Sequence, residues 1–427
     1  MSDGYGADID ARVLLVHRFY APDVTTYSQM LAKIANQLRQ DGLKVSVFTS
    51  QPSYNKAYDG PACPKRAFED GVEVLRKSVP GGGSSLGRLL GGVLFGFLLL
   101  AHAVARRGKY DVIMVSTVPP VLMGLFGAGA SKLAGARLVY HCMDLYPEIA
   151  VASGQMRLEP LRRIAQRLDS FTVNRASRTV VLSQDMLRTI EERGSSTSSV
   201  HVQNNFTIGD HKSASAEVDL PTSLKRSSRF RLIFAGNLGR FQGLDALVDG
   251  FAESLSGGQD SEVELVFLGS GAARSATEAQ VSSLGLMGNV SFVDHQPLPV
   301  AMQAMVEADL AVVSLGPQLI RSAYPSKLVM YLEMGCRVLA VVEPDSELAA
   351  LVLDNDLGSV ASPGAKHAIS KAIDRERQRL WSEDDSARAR AIAEREFSAE
   401  RILPRWTEII STELVSTEMI STASEKA

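Results

Sequence analysis

Cysteine is scarce in this chain: Cys63, Cys142 and Cys336 are the only three in 427 residues. An odd number without metal-ligand spacing argues against a disulfide framework and points to a reducing compartment. An excess of one charge is also missing. Forty-five Lys and Arg against 48 Asp and Glu leave a formal net charge of -3, which provides no general attraction to nucleic acid. There is no G-x-G-x-x-G element, so a dinucleotide cofactor is disfavoured. The opening MSDGYGADID is polar and acidic and is not expected to act as a signal peptide. Long apolar runs are absent but for one: residues 89–105, 17 positions without a charge, bracketed by Arg88 and by Arg106-Arg107. A spanning helix needs about 20 apolar residues. This run is shorter and holds three glycines and a histidine. Three readings stay open: a core helix, a helix lying in a membrane surface, or a span.

What is present is ordinary for a globular protein, 45% apolar and 22% charged residues, in a chain long enough for two full cores. Strand-like and helix-like segments alternate. Strands are expected at residues 12–16, 44–49, 72–79, 112–116, 137–141 and 179–182. Helices are expected at 26–40, at the apolar run, and at 121–133, 161–176 and 184–193. A polar stretch at 206–228 reads as a linker. The alternation restarts with strands at 230–235, 263–268, 289–292, 310–314 and 337–342. The pattern predicts an α/β protein of two doubly wound, Rossmann-like domains facing a cleft, at 11–205 and 229–399. A helix at 400–415 is expected to pack back towards the first domain, and 416–427 to be a disordered tail.

The most informative segment is Ala323-Tyr-Pro-Ser-Lys-Leu328, followed by a helix, Gly335 and an apolar strand. Pro325 and Ser326 mark a helix start that points at the cleft, with Ser326 and Lys327 in its first turn. Free N–H groups, a hydroxyl and an ammonium there suit a phosphate-bearing ligand, although simple capping explains a Ser-Lys start equally well. At the first strand end, Tyr20, Asp23, Thr25 and Thr26 form a Pro-containing turn into a helix, either a cleft-facing loop or an ordinary cap. His141, Asp144 and Glu148 follow a strand, where they could orient a sugar hydroxyl or stabilise positive charge. A helix-capping Asp144 and a core His141 are the plain alternative. Gly236, Asn237, Gly239, Arg240 and Gln242 surround a strand-to-helix turn, and Gly269 and Gly271 a second one. Small residues there admit a phosphate or a ring to the backbone.

In this order the motifs resemble family 4 retaining glycosyltransferases of the GT-B fold. Among these the chain is most similar to bacterial members that build cell-surface polysaccharide, such as the colanic-acid and O-antigen fucosamine transferases. The resemblance runs over residues 11–412: Phe-Tyr-Ala-Pro-Asp, Asp-Leu-Tyr-Pro-Glu, Leu-Ser-Gln-Asp-Met at 182–186, Gly-Asn-Leu-Gly with Gln-Gly-Leu at 236–244, Leu-Gly-Ser-Gly at 268–271, and Pro-Ser-Lys-Leu at 325–328. It implies an acceptor-binding first domain and a second domain holding a nucleoside diphosphate sugar, expected to be UDP-linked. The diphosphate would rest on Ser326, Lys327, Leu328 and the Gly236–Gly239 turn, and the base near Gly269 and Gly271. It implies no cofactor and no obligate metal, because helix dipole and cations balance the leaving group. The family's Glu-x7-Glu is missing: Ser322 and Met330 occupy those positions. Glu333 lies three residues on, in another helical direction, so ribose contacts must come from elsewhere.

The expected activity is transfer of a sugar, in particular an N-acetylamino sugar, to a lipid-linked or saccharide acceptor in polysaccharide synthesis. A basic stretch, 157–178, shares the first domain with the apolar run. Together they suggest a cytoplasmic enzyme peripheral to the inner membrane surface, with a solvated cationic helix as the alternative. The competing functions are a non-catalytic nucleotide-sugar-binding partner and a UDP-sugar 2-epimerase.

Overall fold

The computed structural model describes residues 11–23, 25–53, 62–80, 85–208, 218–255 and 262–424. The first domain runs β1 (Arg12–Val16), α1 (Thr26–Gln40), β2 (Lys44–Ser50), β3 (Arg66–Glu69), β4 (Val72–Lys77), α2 (Ser85–Ala105), β5 (Val112–Ser116), α3 (Leu122–Ala134), β6 (Arg137–His141), α4 (Glu148–Ala152), α5 (Glu159–Arg175), β7 (Arg178–Val181), α6 (Gln184–Glu192) and β8 (Val200–Val202). Its sheet has the order β3-β4-β2-β1-β5-β6-β7-β8. All pairs are parallel except β3 with β4. That edge hairpin was not expected from the alternation. Asp70 and Gly71, both at positive φ, make the two-residue turn that allows it.

The second domain runs β9 (Phe230–Ala235), α7 (Leu244–Ser254), β10 (Val263–Leu268), α8 (Arg274–Ser283), β11 (Val290–Val293), α9 (Leu298–Val306), β12 (Leu310–Ser314), α10 (Ser326–Glu333), β13 (Val338–Val341), α11 (Glu347–Asp354), β14 (Gly358–Ala361), α12 (Lys366–Gln378), α13 (Glu383–Phe397) and α14 (Ala399–Ser424). Its sheet, β11-β10-β9-β12-β13-β14, is parallel throughout. Strands buried on both faces read as near-continuous apolar runs, as in Leu310-Ala-Val-Val-Ser314, where all five are buried and the one polar side chain, Ser314, donates its Oγ–H to Gln242 O at 2.7 Å.

Alternation within β1 assigns its residues to two cores. Val13 and Leu15 pack with Met30, Leu31 and Ile34 of α1, while Leu14 and Val16 join Phe95 and Leu99 of α2 on the other face. The first of these cores also takes Ile402, Trp406, Ile409 and Ile410 from α14, so the chain's last helix sits on its first domain. The backbone crosses between domains twice, and Thr207 N–H donates to Phe397 O at 2.9 Å. Part of the segment expected as a linker is packed: Phe206, Leu220 and Leu224 are buried, and residues 209–217 lie outside the described ones. The tail expected to be disordered is helical up to Ser424.

The apolar run belongs to α2, which lies along the sheet instead of standing alone. Phe95, Leu99 and Ala103 are fully buried. At Gly96 an added Cβ would fall 2.1 Å from the Phe126 ring of α3, so this glycine serves close helix packing. Leu90, Leu94, Phe97 and Val104 form the outer stripe and are exposed. By length and composition the helix could cross a membrane, and a third of its apolar window is buried within the protein.

Candidate active site

The carboxyl ends of the two sheets face each other. In the second domain, β9 ends in the turn 236–243 and β10 in the turn 269–273, and the two interlock. Leu238 N–H donates to Ser270 O at 3.0 Å, and Ala273 N–H to Leu238 O at 2.9 Å. Gly269 has φ +140°, and a Cβ there would meet Gly236 O at 2.1 Å. At Gly271 a Cβ would meet Leu238 O at 2.3 Å and the Asn237 side chain at 2.6 Å. Only glycines permit this spacing.

Lys327 completes the arrangement. It stands in the first turn of α10, which carries no side-chain cap. Its Nζ lies 4.2 Å from the centroid of the Phe234 ring and 3.4 Å from Asn237 O. Gly236 makes room for it: a Cβ there would sit 2.9 Å from Lys327 Cε. Burial pushes the ammonium from its ordinary 10.5 down to about 7. Ala235 N–H donates to the Tyr331 hydroxyl at 2.9 Å, pinning α10 to the end of β9. The unit therefore presents a helix N-terminus, a desolvated amine and the exposed Ser326, Gly236, Asn237 and Arg240 on one rim. Such a rim can hold a diphosphate.

Two residues expected on that rim are used otherwise. Gln242 is buried, and its Oε1 accepts from Gly239 N–H at 3.2 Å, bracing the turn from within. Leu328 is fully buried, and its N–H is spent on Pro325 O at 3.1 Å. Gly269 and Gly271 lie beside this rim, with the Gly269 carbonyl accepting from Arg274 at 3.3 Å.

The acceptor-side residues divide similarly. Thr25 caps α1: its Oγ1 accepts from Ser28 N–H and its N–H donates to Ser28 Oγ, both at 2.9 Å. Asp23 is buried and accepts from Ser53 N–H at 3.2 Å. Tyr20 is buried too, with its hydroxyl pushed up to about 12 by burial and then by Glu69. Thr26 is exposed.

His141 ends β6 as expected but does not open to the cleft. Its Nδ1 bonds Tyr27 Oη at 2.9 Å, and its ring lies 4.6 Å from that of Trp406. Burial drives its pKa down to about 3, leaving a neutral core imidazole. Glu148 pairs with Arg193, whose Nη1 also donates to Asp169 at 2.6 Å, and Asp169 accepts from Tyr140 Oη at 2.8 Å. Both expectations fail as cleft ligands because partners distant in sequence, Trp406 and Arg193, occupy them. Asp144 remains. It is half-buried, forms a β-bridge with Ala323 across the cleft, and is pushed up to about 6 by burial. The next residue's N–H, at Leu145, donates to Ser322 O at 2.8 Å. Ser322 and Met330, at the two missing carboxylate positions, are buried and half-buried. Asp185 and Glu347 also meet across the cleft and are not among the residues the sequence pattern singles out. The signal was available, since Asp185 lies within Leu-Ser-Gln-Asp-Met. Among the described residues no three of His, Cys, Asp or Glu gather as a metal set.

The family comparisons divide at the same boundary as the fold. A model described as a glycosyl transferase 4-like domain matches residues 25–205, and one described as glycosyl transferases group 1 matches 229–376. The chain belongs to the two-domain glycosyltransferases of the GT-B type. Sucrose-phosphate synthase from Thermosynechococcus elongatus superimposes with a TM-score of 0.72 at 18% identity, covering 95% of this chain and 100% of its own. HepE of Anabaena, solved with UDP and glucose, gives 0.65 at 19%, covering 94% and 100%. WaaG, a glycosyltransferase of lipopolysaccharide biosynthesis, gives 0.65 at 17%, covering 93% and 99%. No curated protein sequence matches the chain.

Proposed function

We propose that this glycosyltransferase takes its sugar from a UDP-linked donor and passes it, with retention of anomeric configuration, to a lipid-linked acceptor at a membrane surface. The observation that carries the donor half is the Lys327–Gly236 interlock at the N-terminus of α10. It offers positive potential where a leaving diphosphate would gain charge. The UDP complex of the similarly folded HepE supports the nucleotide. In this reading the acceptor oxygen approaches the anomeric carbon on the face that the diphosphate leaves. The new C–O bond forms as the old one breaks, and the departing phosphate oxygen takes the acceptor's proton. Lys327, exposed Arg240 and the N–H groups of α10 hold the released charge. No carboxylate nucleophile is required in this reading. The transferred sugar is an N-acetylamino sugar on the resemblance of the motifs, and the product belongs to cell-surface polysaccharide.

The acceptor half rests on α2 and α5. The exposed stripe Leu90, Leu94, Phe97 and Val104 faces outward from α2, and Leu161, Ile164, Leu168 and Phe171 from α5. Arg162, Arg163 and Arg167 lie among the latter. Apolar faces ringed by arginine suit an anionic bilayer on the cytoplasmic side. A thermal-shift series with UDP, GDP, dTDP, ADP and their sugar conjugates tests the donor. UDP compounds alone are expected to raise the midpoint, and Lys327→Ala to shift that response to higher ligand concentration. A response confined to another nucleotide overturns the UDP assignment. Analysis of the product's anomeric configuration tests retention.

A further inference from the structure

The body and the start of α10 are held by different domains. Tyr331 ties the body to β9 of its own domain, where its hydroxyl accepts from Ala235 N–H at 2.9 Å. The start, at Pro325 and Ser326, carries no side-chain cap. The segment that leads into it, residues 321–324, has to fix it instead.

Each of those four residues meets the first domain or the crossing between domains. Arg321 O accepts from the Thr189 hydroxyl of α6 at 2.7 Å. Ser322 O accepts from Leu145 N–H at 2.8 Å, and Ala323 bridges to Asp144. The Tyr324 ring is buried 6.3 Å from that of Phe397, and its hydroxyl faces the Asn204 side chain. Within the second domain, the N–H groups of Ser322 and Ala323 both donate to Leu319 O at 3.0 Å, in the short 3-10 turn Leu319–Arg321. The segment thus anchors its N–H side at home and its carbonyl side on the opposite domain. Thr189 itself is buried, and its hydroxyl also lies 3.1 Å from Asp185 O in its own helix, so the shorter contact is the one between domains.

Ser326 and Lys327 follow directly in the chain. A shift of the lead-in therefore moves the first turn of α10 against Phe234 and Gly236, on which Lys327 is packed. A binding group held slightly out of place loses much of its worth, so the residues that support it matter as well.

We propose that Thr189 and Tyr324 are positioning residues for the donor site: they hold the lead-in of α10 so that Lys327 sits on the glycine turn, and donor affinity thereby depends on contacts made by the domain that does not hold the donor. The inference rests on the donor reading given above. Thr189 acts through Arg321 O and not by touching the donor, and the transfer itself stays at the rim.

The test is calorimetric titration of the full chain with UDP, in a double-mutant cycle of Thr189→Val and Lys327→Ala. Thr189→Val is expected to weaken UDP binding about three- to tenfold, the worth of one hydrogen bond, and Thr189→Ser to restore it. Tyr324→Phe, which keeps the ring, should weaken it likewise and carries the test if Thr189→Val does not fold. In the Lys327→Ala background Thr189→Val should add less than it costs alone, because the group it positions is gone. Full additivity, as a general loosening of the fold would give, overturns the positioning role. So does wild-type affinity in both Thr189→Val and Tyr324→Phe, with the donor reading left standing as long as Lys327→Ala binds UDP more weakly. Equal binding by wild type and Lys327→Ala overturns the donor placement itself, and a wild-type protein that binds no UDP overturns the UDP reading and this inference with it.

Discussion

Asp185 and Glu347 cap each other's helices across the cleft. The Asp185 carboxylate accepts from Glu347 N–H at 2.9 Å, at the start of α11, and the Glu347 carboxylate accepts from Gln184 N–H at 2.5 Å, at the start of α6. Each negative side chain therefore sits at the positive end of the opposite domain's helix. Ser183 and Ser346 provide the ordinary caps within each domain, accepting from Met186 and Ala349 at 3.2 Å. The exchanged carboxylates are thus available to join the domains.

Removing this exchange should loosen closure more than it unfolds either domain. Asp185→Ala is expected to cost about 1 kcal/mol, the usual worth of a cap, and to enlarge the radius of gyration in small-angle scattering. Glu347→Gln should do less, because an amide oxygen still accepts. An unchanged radius in Asp185→Ala would show that the Asp144–Ala323 bridge suffices to hold the cleft.

Closure should also depend on pH through Asp144. Its carboxyl is raised from 3.8 to about 6 by burial, so the folded, closed arrangement favours the protonated form. The stabilising contribution is therefore complete below about 4 and is lost as pH rises through about 6. Between pH 5 and 7.5 the wild-type thermal midpoint should fall relative to that of Asp144→Asn. Parallel curves would mean that the group is solvated.

Donor binding should take up a proton. In the free site Lys327 titrates near 7, and a diphosphate beside it would raise that value. Affinity for UDP is thus highest below about 7 and weakens as pH rises above it. Calorimetry at pH 7.5 in buffers of different ionisation enthalpy should reveal proton uptake that vanishes in Lys327→Ala. The same variant should lose about 1.5–3 kcal/mol of UDP binding, the range for a charged hydrogen bond.

Gly269→Ala should be the most damaging single methyl in the second domain's cleft rim. It combines φ +140° with a Cβ 2.1 Å from Gly236 O, and backbone on both sides cannot give way cheaply. Loss of several kcal/mol of stability, of order 2–4, together with UDP binding is expected in denaturant titrations.

His141→Ala tests a packing role against a catalytic one. Leaving a void against Trp406 and an orphaned Tyr27 hydroxyl should cost about 2–4 kcal/mol. His141→Phe should recover part of that stability. Activity that collapses in a His141→Phe protein of near-normal stability and UDP affinity would restore the histidine to the site.

The boundary between legible and hidden features follows the range of the interactions. Strand and helix positions, both domains and the glycine turns were readable, because hydrophobic period and turn chemistry act over a few residues. Ser326, Lys327, Gly236 and Asn237 could be singled out for the same reason, since a helix start and a tight turn declare themselves in consecutive positions, and the fold sets them on one rim. Glu148 and His141 misled because Arg193 and Trp406, which occupy them, lie 45 and 265 positions away in the chain. Gln242 and Leu328 stood inside motifs whose neighbours face the rim, and only three dimensions tell the inward residue from the outward one.

By itself the sequence determined two doubly wound domains and a phosphate-ready helix start, since these arise from local backbone preferences and from which residues avoid water. Only the tertiary structure decided that α2 lies along the sheet with one face bare, that the last helix returns to the first domain, and that Asp185 and Glu347 exchange caps. Those outcomes depend on which apolar faces find one another after distant segments meet, and no local pattern encodes that choice.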